Sequence, residues 1–153
     1  QAAGALSDIK ERLREKEAAV GAYFCPFPSF VDIYHVFSRM VERSGLSVFV
    51  MLCTLDYKKN DISEEKERDM SHALKKAIQS SVRKGDFYTK YNMRQYIIML
   101  IGISQENCPM VSRRIEKAFR KCSGEKKSLQ VDFYVASVGE VCESDGVIVD
   151  RRT

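Results

Sequence analysis

The stretch from Arg83 to Ile101 constrains the fold more than any other. Arg83-Lys84-Gly85-Asp86 reads as a helix end. Phe87-Tyr88-Thr89-Lys90-Tyr91 then forms a strand, Asn92-Met93 a tight turn, and Arg94-Gln95-Tyr96 leads into the apolar run Ile97 to Ile101. Two aromatic or apolar runs flanking a short turn that contains Asn specify a β-hairpin. The rest of the chain has to be arranged around that hairpin.

Upstream, Leu46 to Leu55 is a near-continuous apolar run of the kind found in a strand buried on both faces, ending at Asp56. Ser63 is placed to cap the next helix, with Glu64, Glu65 and Glu67 in its first turns complementing the helix dipole. Met70, Leu74, Ala77, Ile78 and Val82 form its apolar stripe, and Gly85 is the expected stop. Beyond the hairpin, the segment from Asn107-Cys108-Pro109 to Cys122 predicts a helix with Val111, Ile115, Ala118, Phe119 and Cys122 inward. Leu129, Val131, Phe133 and Val135 alternate as in a strand with one buried face. Val147-Ile148-Val149 is a candidate edge strand.

Two helices are expected ahead of this core. Leu6, Ile9, Leu13 and Val20 repeat at 3-4 spacing, as in a coiled-coil seam, with Lys16 interrupting it. So short a helix must pack on something, either its own domain or a second copy of the chain. Cys25-Pro26-Phe27-Pro28 breaks it. Ser29 then resembles an N-cap, Phe30, Ile33, Tyr34, Phe37, Met40 and Val41 follow at helical spacing, and Gly45 supplies the stop. His35 falls off that stripe and is expected on the surface. The division expected is residues 1–22 as a linker helix and 23–153 as one domain, and a chain starting at Gln1 reads as excised from a longer protein with an upstream domain.

Composition narrows the function classes. The 153 residues carry a net charge of only +4, which favours a solvated surface over a nucleic-acid face. Cys25, Cys53, Cys108, Cys122 and Cys142 are odd in number, contain no C-x-x-C pair, and suit reduced thiols in a cytoplasmic protein. His35 and His72 are the only histidines, so neither a zinc site nor a histidine-based catalytic set is visible. No apolar run reaches membrane-spanning length, and no signal peptide is visible.

From Leu46 to Val138 the element order is β-α-β-β-α-β, the α+β, ferredoxin-like pattern. Right-handed crossovers place the first strand centrally, antiparallel to the second strand of the hairpin. The carboxyl end of that first strand, Thr54-Leu55-Asp56, then lies beside the hairpin turn. A site built from both would straddle those two ends.

Here the chain resembles the GGDEF domains, the diguanylate cyclase fold, over roughly Phe27 to Val138. Phe30 to Gly45 is similar to the leading helix. Val48 to Lys58 is similar to the strand running into D-x-D-x-F-K. Val82 to Ile101 resembles R-x-x-D followed by the Gly-Gly-Asp-Glu-Phe signature and its strand, and Val131 to Val138 the late strand. The resemblance implies a nucleotide cyclase-like core and, in active members, glycines that admit phosphates and carboxylates that hold divalent metal.

The departures decide the expectation. The signature reads Asn92-Met93-Arg94-Gln95-Tyr96, and D-x-D reads Thr54-Leu55-Asp56. Arg94, close to Lys58 and Lys59, would repel a cation, and phosphoryl transfer needs the charge neutralisation that metal supplies. No catalytic residue, metal ligand or cofactor is therefore expected. Arg83-Lys84-Gly85-Asp86 does keep the R-x-x-D of the family's inhibitory product site. Arg83 and Asp86, helped by Arg114 on the following helix beside Arg113, are thus candidates for a cyclic dinucleotide such as cyclic di-GMP. Arg offers a planar fork to phosphate or guanine acceptors, and Asp accepts from guanine donors. An Asp at a strand start can equally serve nearby backbone donors. Asn60-Asp61 resembles the base-reading pair of active members but lacks the loop that follows it, and reads as an ordinary turn.

The resulting expectation is a catalytically inactive regulatory or interaction domain of a bacterial signalling or transcription regulator, with dimerisation through the first helix an open option. A cyclic di-GMP receptor is the first rival. A small RNA-binding ferredoxin-like domain, stacking bases on Tyr88, Tyr96 and Tyr134, is the rival of another class. The buried character of the first strand argues against it, and no direct nucleic-acid partner is expected.

Overall fold

The computed structural model describes residues 2–14, 21–58, 61–124 and 129–139. Helix α1 spans Ala2–Leu13, strand β1 Tyr23–Phe24, helix α2 Phe27–Ser44 and strand β2 Val48–Tyr57. Helix α3 spans Glu64–Ser81, strand β3 Phe87–Asn92, strand β4 Gln95–Ile101, helix α4 Cys108–Ser123 and strand β5 Leu129–Ser137. The sheet order is β1-β3-β4-β2-β5. Its last four strands have the ferredoxin-like arrangement, with β2 inside and antiparallel to both β4 and β5. The α+β expectation, with two helices ahead of the core, holds.

The apolar run of β2 is continuous because both faces are covered. Met51, Cys53 and Leu55 point into a core shared with Leu74, Ala77 and Ile78 of α3 and Ile115 and Phe119 of α4. Val48 and Val50 alternate to the other face, where Phe30 of α2 packs with Phe87, Ile97 and Met99. Phe30 and Phe87 meet with ring centroids 5.3 Å apart. In β5, Ala136 and Asp132, on the face expected to be open, are also buried.

Several boundaries move. Helix α2 begins at Phe27 rather than after Ser29, because Pro26 occupies the N-cap and a proline in the first turn has no amide to leave unpaired. Gly45 does end it in a left-handed conformation, its amide on the carbonyl of Val41. Met40 is exposed, not core, and so is Cys122 at the end of α4. Helix α3 stops at Ser81 with Val82 as its C-cap, three residues before Gly85. Ser63 caps its start as expected, accepting from the Lys66 amide at 3.1 Å. His35 and His72 lie on the surface.

Strand β1, unforeseen, pairs parallel with β3 at the sheet edge. Gly21, at φ 79°, leads into it, and a Cβ there would collide with the carbonyl oxygen of Gln79 on α3. Helix α1 buries none of its residues, and Leu6, Ile9 and Leu13 stand exposed. It is therefore not docked on the domain through that stripe. Val20, Lys16, Cys142 and the candidate strand Val147-Ile148-Val149 fall outside the described residues. Among the described residues, no helix is long and apolar enough to cross a membrane.

Candidate functional site

The hairpin turn lies one residue later than expected: Asn92 pairs with Gln95, leaving Met93 and Arg94 at the tip. A bulge between Lys90 and Asn92 shifts the register there. The topological expectation is met, since the Leu55 amide donates to the Arg94 carbonyl at 2.8 Å. The end of β2 and the tip are one locality.

The side chains at that locality bond to one another. The Asn92 side chain accepts from the Arg94 amide at 2.9 Å and donates to the Gln95 carboxamide at 2.8 Å. Gln95 in turn donates to the Thr54 hydroxyl at 3.2 Å. Thr54 and Gln95 are direct cross-strand partners, so these two signature positions are joined by neutral groups. Arg94 folds over α3 instead: its guanidinium lies 4.8 Å from the Tyr57 ring centre and 3.5 Å from the Glu67 carboxylate. Asp56, opposite Gln130, is exposed. Strand alternation turns it to the face away from Tyr57 and hence from the Arg94 contact.

Tyr96 points into the core, where its hydroxyl donates to the Ser71 carbonyl at 3.1 Å and shares a 3.2 Å bond with the Ser71 hydroxyl. Burial pushes its pKa up, and the Ser71 bond pulls it partly back. Tyr88 is fully buried too, donating to the Gln79 carboxamide at 2.8 Å. Neither ring is available for stacking on a base. The Glu67–Arg94–Tyr57 contact was missed because the sequence shows Glu67 only as one of three acids at a helix start. Nothing local couples it to an arginine 27 positions on.

Arg83, Asp86 and Arg114 do come together. They line a cleft of about 420 Å³ between the end of α3, the exit of β4 and the first turns of α4. Arg113 departs from the group and lines a separate groove with Glu116 and Asp132. Within the cleft, Asp86 is buried and engaged at both oxygens. One accepts from the Ile101 amide at 3.0 Å. The other accepts from the Arg83 amide at 3.0 Å and lies 3.5 Å from the Arg83 Nε. Arg83 also donates to the Ile101 carbonyl, and Arg114 to the Ser81 carbonyl at 3.2 Å. Chemically the cleft presents two guanidinium groups and one spoken-for carboxylate, a balance that favours an anion. Asp61 is exposed, and Asn60 lies outside the described residues.

No protein-family model and no curated protein matches the sequence. Solved structures do. The FimX GGDEF domain of Pseudomonas aeruginosa superposes with a TM-score of 0.64 at 10% identity, over 86% of this chain and 88% of that one. Diguanylate cyclase SiaD of Pseudomonas aeruginosa, in complex with its activator SiaC, gives 0.62 at 12%, over 97% of this chain and 63% of that one. The coiled coil and GGDEF domain of DgcB from Caulobacter crescentus, in complex with c-di-GMP, gives 0.54 at 11%, over 93% and 83%. At such identities the likeness is one of architecture. The chain has the fold of the GGDEF domains.

Proposed function

We propose that this is a catalytically inactive GGDEF-like domain acting as a regulatory or interaction module. Its setting would be a cytoplasmic bacterial signalling or transcription regulator that also carries an upstream domain. The carrying observation is the hairpin tip. A divalent ion that neutralises a triphosphate needs hard anionic oxygens. The tip offers a Thr54–Gln95–Asn92 chain of neutral groups and the fixed cation Arg94. Asp56, on the Thr54–Gln95 face, is the remaining carboxylate of the D-x-D position, and one carboxylate is not enough to hold a catalytic ion. The residues do not fit a catalytic metal, so no phosphoryl-transfer step is assigned. The exposed Leu6, Ile9 and Leu13 stripe of α1 supplies a surface for pairing with a second copy.

Incubation with GTP and magnesium or manganese, with chromatographic detection, is expected to yield no cyclic di-GMP above a blank without protein. Product above the blank refutes the reading.

A second reading is favoured by the convergence of Arg83, Asp86 and Arg114 on one cleft: a receptor for cyclic di-GMP. Titration calorimetry with cyclic di-GMP is then expected to show heat that falls at least tenfold in affinity in Arg83→Ala and Arg114→Ala, the loss typical of removing a charged hydrogen-bond donor. Absence of heat at tens of micromolar ligand, or binding indifferent to both substitutions, ends this second reading and leaves the first intact.

A further inference from the structure

Strand β1 covers only the first part of the β3 edge. The Asp86 and Tyr88 carbonyls accept from the Tyr23 and Cys25 amides, both at 3.0 Å, after which Pro26 turns the chain away into α2. Main-chain groups of alternate residues in a strand point to the same side, so the amide and carbonyl of Lys90 also face outward, just past the end of β1. Lys90 stands opposite Tyr96 in the β3–β4 ladder.

Among the described residues no further strand pairs with this part of the edge, and both of its sides are furnished. Toward α2, the exposed rings of Phe27 and Tyr91 (37% and 54% accessible) meet edge to face with centroids 5.1 Å apart. Toward α3, Phe24 (38% accessible) packs on Tyr88, and the Lys75 ammonium sits 3.9 Å from the Phe24 ring centre. The Lys90 side chain alternates to that same α3 side as Tyr88. Exposed aromatics next to open main-chain groups are what an added strand uses: backbone bonds for affinity, side-chain contacts for selectivity. The two sides differ in character, apolar on one and cationic on the other.

We propose that the β3 edge beyond Phe24 docks an extended peptide of alternating acidic and apolar residues as a short added strand. Its main chain pairs with Lys90. Its apolar side chains lie on Phe27 and Tyr91, and its carboxylates meet Lys75 and Lys90. The site is distinct from the hairpin tip and the arginine cleft and does not depend on the tip being inactive.

The test is panning the intact protein against a displayed library of random ten-residue peptides, followed by fluorescence anisotropy on synthesised winners. Enriched sequences are expected to alternate Asp or Glu with apolar residues. Their affinity should fall about tenfold or more in Phe27→Ser/Tyr91→Ser, as for loss of aromatic anchors. A Lys75→Glu/Lys90→Glu protein should instead select Lys- or Arg-containing peptides, a gain that misfolding cannot mimic. No enrichment, winners indifferent to both double substitutions, or displacement of the winners by single-stranded poly(U) would each overturn the proposal, the last in favour of a nucleic-acid surface.

Discussion

Raising the pH from 8 to 11 is expected to remove several kcal/mol of folding stability. Five buried groups combine to produce this loss. Desolvation pushes up the Cys25 and Cys53 thiols, and it raises Cys108 from 9.0 to about 11. It raises Tyr96 as well, and Tyr88, where the neighbouring Tyr96 adds to the effect. In each case the folded state favours the neutral, protonated form. When the folded pKa lies above the unfolded one, the contribution to stability is complete below the unfolded pKa. It is then lost as pH climbs toward the folded value, because the unfolded chain releases its proton first. The thiol contribution therefore starts to fall near pH 9, and that of Cys108 is gone near 11. The tyrosines join from about pH 10. Each group titrating only in the unfolded chain adds a slope that approaches about 1.4 kcal/mol per pH unit once the pH exceeds its unfolded pKa, so the thiols together steepen the loss above pH 9. Urea midpoints measured at pH 8, 9, 10 and 11 check this. A Cys53→Val protein should show a shallower slope between pH 9 and 10, since its most deeply buried thiol is gone. A midpoint that holds steady to pH 10.5 contradicts the expectation.

Asp86→Ala is expected to destabilise the protein by about 2–4 kcal/mol, the range for stranding buried amides that had bonded to a carboxylate. The carboxylate ties the turn after α3, through the Arg83 amide, to the last residue of β4, through the Ile101 amide. It thereby holds the crossover end against the sheet. Arg83→Ala should cost under about 1 kcal/mol, because its ion pair with Asp86 is largely exposed on the arginine side. Denaturant unfolding of the two variants separates the roles: a wide gap makes Asp86 a structural clasp and Arg83 the member available to an anion. If Asp86→Ala unfolds at the wild-type midpoint, the carboxylate is not holding the turn, and the ligand reading of the whole R-x-x-D stretch gains. Ligand tests on this cleft accordingly rest on Arg83 and Arg114.

The parts of the fold that were legible had a pattern with one physical cause. The apolar run of β2 announced burial on two faces, the Met70-to-Val82 stripe announced α3, and Ser63 announced its start. Each of these is set by local spacing or by a cap that acts within one turn. What failed depended on contacts made elsewhere. Strand β1 is two residues long and carries no periodicity of its own, so only the β3 edge makes it a strand. Cys122 and Met40 fell at helical spacing yet lie where, among the described residues, no neighbour buries them. The turn slipped by one residue because the bulge before Asn92 alters register without leaving a mark in composition.

The candidate sites divide the same way. Sequence alone determined the order of elements from β2 to β5, hence the meeting of β2 with the hairpin tip, and it determined that the tip would carry Arg94 and Gln95 in place of carboxylates. Only the tertiary structure decided what those residues do: that Arg94 turns to Tyr57 and Glu67, that Gln95 bonds Thr54, that Asp86 is consumed by backbone amides, and that Arg113 and Arg114 part company. The reason is that spacing along a chain encodes which face a residue occupies. Partners for charged and amide side chains are chosen among groups brought close from distant positions, and those groups exist as neighbours only once the sheet and helices have packed.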